Sequence, residues 1–168
     1  MGSGDLFRLQ LVRVAYGDPD ALRLVEQVQA EYVVRYGSPD ETPLEPAMFD
    51  PPAGSFFVGY VEGEPVATGA WRRKEVEAFG TTRTAEIKRM YVVPAARGRG
   101  VARAVLSHLE TTAAQAGAEA LLLETGLKQP EAITLYESSG YVPVPAFGFY
   151  AEAELSRYYG RDLRVRSV

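Results

Sequence analysis

Apolar residues recur along the chain at two spacings, and the switches between them lay out an order of elements. Leu9, Leu11, Val12 and Val14 alternate imperfectly and predict a first strand over residues 6–15. Gly17-Asp18-Pro19-Asp20 reads as a turn with an Asp-capped helix start. Leu22, Val25, Val28, Tyr32 and Val33 then fall at helical spacing, predicting a helix to about Tyr36 that Gly37-Ser38-Pro39 ends. Residues 40–54 are acidic and proline-rich (Pro43, Pro46, Pro51, Pro52). They read either as a loop on the substrate side, with a helical turn near Leu44 to Phe49, or as a plain connector.

Strands are predicted over 56–61 and 65–71, joined at Glu62-Gly63-Glu64, and over 84–93. Strict alternation in the last puts Glu86, Lys88, Met90 and Val92 on one face and Ile87, Arg89, Tyr91 and Val93 on the other. Val101, Val105, Leu109 and Ala113 mark a helix that Gly117 ends. Ala120 to Thr125 has the apolar run of a strand buried on both faces. Gln129-Pro130-Glu131 opens a further helix, carrying Ile133 and Tyr136 and stopping at Gly140. A late strand starts over 141–144, a short helix is predicted over 152–159 and a final strand over 163–165. With no internal repeat, residues 6–168 read as a single domain behind a flexible N-terminus, residues 1–5.

Composition narrows the chemistry. The chain has 168 residues, enough for a core without staples, and contains no cysteine and one histidine, His108. That excludes disulfides, thiol nucleophiles and multi-histidine metal sites, and no metal is expected. His108 lies mid-helix and reads as a surface or half-buried residue. A net charge of −4 argues against a nucleic-acid partner. No apolar run approaches the roughly 20 residues that span a bilayer, and no signal-peptide pattern opens the chain, so no membrane partner and a cytoplasmic location are expected.

The most informative stretch is Arg97-Gly98-Arg99-Gly100-Val101-Ala102, which joins the third of the middle strands to a helix. Glycines two apart fold the backbone tightly, and a helix N-terminus offers unpaired N–H groups and a favourable dipole to an anion such as a pyrophosphate. Arg97 and Arg99 can add charge. Position 103 is Arg, so the dinucleotide-binding Gly-x-Gly-x-x-Gly pattern fails; the phosphate-loop pattern fails for want of Gly-Lys-Ser/Thr.

Ala85-Glu86-Ile87-Lys88-Arg89-Met90-Tyr91-Val92 ahead of this turn, with Leu135-Tyr136-Glu137-Ser138-Ser139-Gly140-Tyr141 downstream, resembles the GNAT N-acetyltransferase superfamily. The resemblance implies an α/β fold: a mixed, mostly antiparallel central sheet flanked by helices and splayed at the cofactor cleft, between the strands ending near Val93 and Thr125. It implies acetyl-CoA as cosubstrate. Backbone N–H groups of Arg97, Gly98, Arg99, Gly100, Val101 and Ala102 would bind its pyrophosphate. Main-chain groups of Met90, Tyr91 and Val92 would pair with the pantetheine arm, one of them polarising the thioester carbonyl. Tyr136 would be general acid to the departing thiolate. Glu86 would be the base for the amine, directly or through water, or would bind the ammonium group; a structural salt bridge to Lys88 or Arg89 is the competing reading. Glu124 is a second candidate base. Arg72, Arg73 and Lys88 could hold a substrate carboxylate, and residues 147–150 read as a loop over the site.

The activity implied is acetyl transfer to a primary amine by direct attack in a ternary complex, since no cysteine or elbow serine offers a covalent nucleophile. A small-molecule amine is the favoured acceptor. Protein lysine or N-terminal acetylation, and a non-catalytic coenzyme-A-binding module, are the alternatives. Homodimers are frequent in the resembled family, which makes one a reasonable expectation.

Overall fold

The computed structural model describes residues 8–165. Strands β1 (Leu9–Val14), β2 (Gly54–Val61), β3 (Glu64–Arg73), β4 (Thr84–Val92), β5 (Ala120–Gly126), β6 (Val142–Pro143) and β7 (Ser156–Asp162) form one sheet in the order β1-β2-β3-β4-β5-β7-β6. Every pairing is antiparallel except that of β4 with β5. Helix α1 (Pro19–Tyr36) covers one face; α2 (Val101–Gln115) and α3 (Pro130–Ser138) cover the other. None of the described helices is long and apolar enough to cross a membrane.

The local chemistry explains most of these boundaries. Asp18 caps α1 by accepting from the backbone N–H of Asp20 and Ala21, and Pro19 occupies the first helical turn. The apolar stripe of α1, with Leu24, Val25 and Val28, packs on Phe56, Val58 and Ala70 of β2 and β3. Val105, Leu106 and Leu109 of α2 fill the opposite face against Phe57, Ile87 and Leu121. The expected helical turn in the proline-rich segment is a single 3-10 turn over Pro46–Phe49, and Phe49 is buried beneath α1.

Two expectations are corrected at the C-terminal end. The stretch read as a helix over 152–159 is turn up to Leu155 and strand from Ser156, while residues 163–165 form turn and bend rather than a strand. The reason is tertiary. Tyr158 and Tyr159 are strand-compatible aromatics, and β7 completes the sheet by pairing along the whole of β5, from Ala120↔Asp162 to Gly126↔Ser156. Of the first expected strand, residues 6–7 lie outside the described residues, as do residues 1–5.

A third correction matters for the site. Thr68 and Ala70 of β3 stand opposite Tyr91 and Lys88, so two steps on β3 face three on β4. One extra residue is therefore bulged out of β4. Arg89 absorbs it with φ +57°, and its carbonyl accepts a 2.7 Å hydrogen bond from the Thr68 hydroxyl. The alternation inverts across the bulge. Ala85 and Ile87 before it and Met90 and Val92 after it all pack toward α2, whereas Tyr91 packs toward α1. Glu86 and Lys88 thus do not share a face with Met90 and Val92.

Beyond Glu86↔Leu122 the parallel pairing of β4 with β5 stops, after three matched positions. The two strands diverge, and the sheet opens into a cleft.

Candidate active site

The cleft is a cavity of about 700 Å³ whose walls are the diverging ends of β4 and β5. At one end lies the glycine turn. Gly98 (φ +78°) and Gly100 (φ +81°) hold left-handed conformations that a side chain would strain, and Gly100 is the N-cap of α2 with no side-chain cap. The first N–H groups of α2 consequently have no intrahelical acceptor. Gly98, Gly100, Val101 and Ala102 line the cavity.

The two arginines of the turn are placed differently, and Arg97 lines the cavity. Arg97 folds back, donating from Nε to the Val92 carbonyl (2.8 Å) and from Nη2 to Glu31 (2.8 Å), with its guanidinium over the Tyr91 ring. Its charge is spent on α1. Arg99 is not among the residues lining the cavity.

Polar bridges hold α1 over the cleft. Glu31 also receives Arg35 at 3.0 Å, and Arg35 reaches Glu131 of α3 at 2.6 Å and donates to the Lys128 carbonyl. Each bridge is partly exposed and worth little alone. Close packing supplements them: a Cβ on Gly126 would lie 1.7 Å from the Tyr36 hydroxyl.

At the other end the cavity is lined by Tyr32, Tyr136 and Glu124, together with Lys88, Arg89 and Asp40. Tyr136, on α3, is buried with its ring edge-on to Tyr141. Burial, followed by the nearby Glu124 carboxylate, pushes its phenol well above the ordinary value, so it is protonated at neutral pH. Burial also raises Glu124; the Ser156 hydroxyl and the Lys88 ammonium oppose that shift, and Asp40 and Glu86 reinforce it.

Asp40 enters from the proline-rich segment and meets both cations. Its Oδ2 lies 3.1 Å from Lys88 Nζ and 2.8 Å from Arg89 Nη1, and its Oδ1 accepts from the Thr42 backbone and hydroxyl. The segment is tied down further: Gln29 exchanges two hydrogen bonds with the Asp40 backbone, and Glu41 N–H donates to the Tyr150 hydroxyl at 2.7 Å. Burial alone would raise the Asp40 carboxyl, but Lys88, Thr42 and Arg89 outweigh it and hold it far below the usual range.

Glu86 is placed apart from this group. It is buried, and its Oε1 accepts from Arg72 Nε and Nη2 at 3.1 and 3.0 Å, with Lys74 at 3.9 Å. It does not line the cavity. Its ion-pair partner is thus Arg72, across the strand pair, rather than Lys88 or Arg89. Arg72 is committed to Glu86, and Arg73 to the carbonyls of Pro52 and Ala116. Of the three cations suggested for a substrate carboxylate, Lys88 alone lines the cavity. Met90, Tyr91 and Val92 line it, as expected of the strand beside the gap, and so does Tyr150 from the loop read as covering the site.

Sequence reasoning missed Arg89 and Asp40. Simple alternation sends Arg89 to the face opposite Lys88, and Asp40 is one acid among several in an irregular segment. Tyr32 was read as part of a helix face, and nothing in its spacing marks it as lining a cleft.

Residues 22–141 match the model of the Acetyltransferase (GNAT) family. An IAA acetyltransferase from Azospirillum brasilense is 37% identical over 108 residues, covering 64% of this chain and 67% of its own. The uncharacterized N-acetyltransferase YjgM of Escherichia coli K12 is 28% identical over 130 residues, covering 74% and 75%. Among solved structures, one from Klebsiella pneumoniae, assigned as an acyl-CoA N-acyltransferase, superposes with a TM-score of 0.75 at 27% identity over 92% of this chain and 97% of its own. A Salmonella typhimurium protein assigned as an acetyltransferase and solved with its cofactor acetyl-CoA superposes with a TM-score of 0.68 at 16% identity, over 96% and 97%. With a family match across most of the chain and a fold shared with the Klebsiella structure, this protein belongs to the GNAT acetyltransferase family.

Proposed function

We propose that the protein transfers the acetyl group of acetyl-CoA to the primary amine of a small molecule, by direct attack in a ternary complex. One observation carries the reading: a single cavity joins the uncapped N-terminus of α2 to a buried, protonated tyrosine with a carboxylate beside it. The acetyl-CoA of the Salmonella neighbour supports the choice of cosubstrate.

The residues present fit that molecule. The turn from Arg97 to Ala102 offers backbone N–H groups to a pyrophosphate, with Gly98 and Gly100 allowing close approach. The side of β4 that faces the gap at Met90, Tyr91 and Val92 has no strand partner there, and apart from the Val92 carbonyl, which Arg97 holds, its main-chain groups can meet the amides of a pantetheine arm. When bound, the thioester supplies an activated acetyl group.

Glu124, rather than Glu86, takes the proton from the acceptor ammonium in this reading. Its carboxylate lines the cavity and its raised proton affinity suits a base, whereas Glu86 is neutralised by Arg72. Tyr136 donates a hydrogen bond toward the departing sulfur. A phenol is ordinarily a weaker acid than a thiol, about 10 against 8.5, and burial weakens this one further. Its contribution is therefore to stabilise developing charge, with the proton lost by the amine restoring balance.

The test is thiol release from acetyl-CoA across a panel of amino acids, polyamines, aminoglycosides and short peptides. The expected result is release with at least one small amine and a mass increase of that amine by one acetyl group. Binding of acetyl-CoA with no release for any amine refutes the reading.

A further inference from the structure

At the acceptor end of the cavity two buried cations share a single carboxylate oxygen. The bulge sends two successive side chains, Lys88 and Arg89, to one carboxylate oxygen of Asp40. Both are almost wholly buried, with side-chain exposures of 8% and 4%. One anion therefore serves two desolvated cations. Arg89 is also only partly satisfied: Nη1 is taken by Asp40, whereas Nε is buried without any hydrogen-bond partner and Nη2 makes no hydrogen bond among the described residues. The Nε and Nη2 nitrogens form the edge of a guanidinium that matches the two oxygens of a carboxylate. Leaving such donors unpaired in a buried site is costly unless a ligand completes them.

Resting on the transferase reading above, we propose that the acceptor is a small amine that also bears a carboxylate, which pairs with the unpartnered Nε–Nη2 edge of Arg89. Its ammonium lies toward Glu124, which lines the same cavity, so the site offers unpaired guanidinium donors to one end of the molecule and a carboxylate to the other. A free amino acid or a close relative has that chemistry within a few bonds. A long chain does not fit as readily, because the segment carrying Asp40 is pinned by Gln29 and Tyr150 across this end.

The experiment compares three matched series on the wild-type protein: free amino acids, their carboxamides and the corresponding decarboxylated amines, with short peptides alongside. Thiol release gives kcat and KM, and calorimetry gives the Kd of acetyl-CoA for wild type and for Arg89→Lys. The acids are expected to exceed their amides by about ten- to a hundredfold in kcat/KM, the range of a charged hydrogen-bonded pair, chiefly through KM. Arg89→Lys keeps the charge and removes the fork; it should abolish most of that preference and leave the Kd of acetyl-CoA unchanged. Amides, decarboxylated amines or peptides that serve as well as the acids overturn the proposal while leaving acetyl transfer standing. So does an Arg89→Lys protein that loses acetyl-CoA and keeps the preference. If no amine is acetylated although acetyl-CoA binds, the transferase reading fails and this one with it. Should Arg89→Lys not fold, the wild-type comparison of acid with amide decides alone.

Discussion

Replacing Asp40 by Asn removes one charge and little else. The amide keeps an oxygen for the two hydrogen bonds that Oδ1 accepts from Thr42, at 3.0 and 2.6 Å. What disappears is the anion 2.8 Å from Arg89 and 3.1 Å from Lys88. At an effective dielectric near 20, each contact carries about 5–6 kcal/mol of gross attraction. Desolvation and the mutual repulsion of the two cations offset much of that. Breaking a buried pair from one side typically costs about 3–5 kcal/mol, because the surviving charge stays buried without compensation. For a domain of this size each kcal/mol lowers Tm by about 2–4 °C, so a fall of about 6–20 °C is expected. The sign of the pH dependence follows from the depressed carboxyl. The ion pairs are fully present above about 3.8, the ordinary value for aspartate, and are lost as pH falls toward the lower folded value. The gap in stability between wild type and Asp40→Asn should therefore be constant near neutrality and close below that value. Urea melts at several pH values measure both effects, and Asp40→Asn combined with Lys88→Met should recover part of the loss. A loss under about 1 kcal/mol at pH 7, a surface-like value, would refute the claim that this is a desolvated triad.

Three further outcomes are expected. Tyr136→Phe removes a hydrogen bond to developing charge and should lower kcat by about 10²-fold or more with unchanged thermal stability, read by thiol release and melting; undiminished turnover removes Tyr136 from the mechanism. Glu124→Gln should remove the acid limb of the kcat/KM profile, a limb lying above the ordinary glutamate range because burial raises the carboxyl; survival of that limb points to another base. Gly126→Ala should displace the Tyr36 ring, whose hydroxyl would stand 1.7 Å from the new Cβ, and cost about 1–3 kcal/mol in a denaturant melt; Tyr36→Ala in the same chain should restore much of it.

The elements with a strong period were legible in advance: α1, α2, the β2–β3 hairpin and the glycine turn all stand where spacing and turn residues place them. The failures share a cause, which is geometry imposed from outside the segment. β7 is a strand because β5 needs a partner. The faces of β4 invert because Arg89 accepts a left-handed backbone, a conformation that no residue nearby announces. Glu86 and Arg97, the charges that looked most chemical, are neutralised by Arg72 and Glu31, partners 14 and 66 residues away in sequence. Asp40 and Arg89 were hidden for the converse reason, since neither sits in a motif and their meeting bridges 49 positions.

The parting of β4 from β5 after Glu86 has a consequence for the ligand-free protein. It leaves main-chain groups of both strands without a cross-strand partner in the middle of the sheet, where ordinary sheets pair them. Elsewhere such groups invite another chain; here residues of α1 and α3 line the gap beside them. A slender molecule with amides of its own would act as the missing eighth strand. Folding is then coupled to supply: a ligand at a hundred times its Kd adds about 2.7 kcal/mol to the stability of the chain. The protein's lifetime, and not its turnover alone, would follow the concentration of whatever fills the gap.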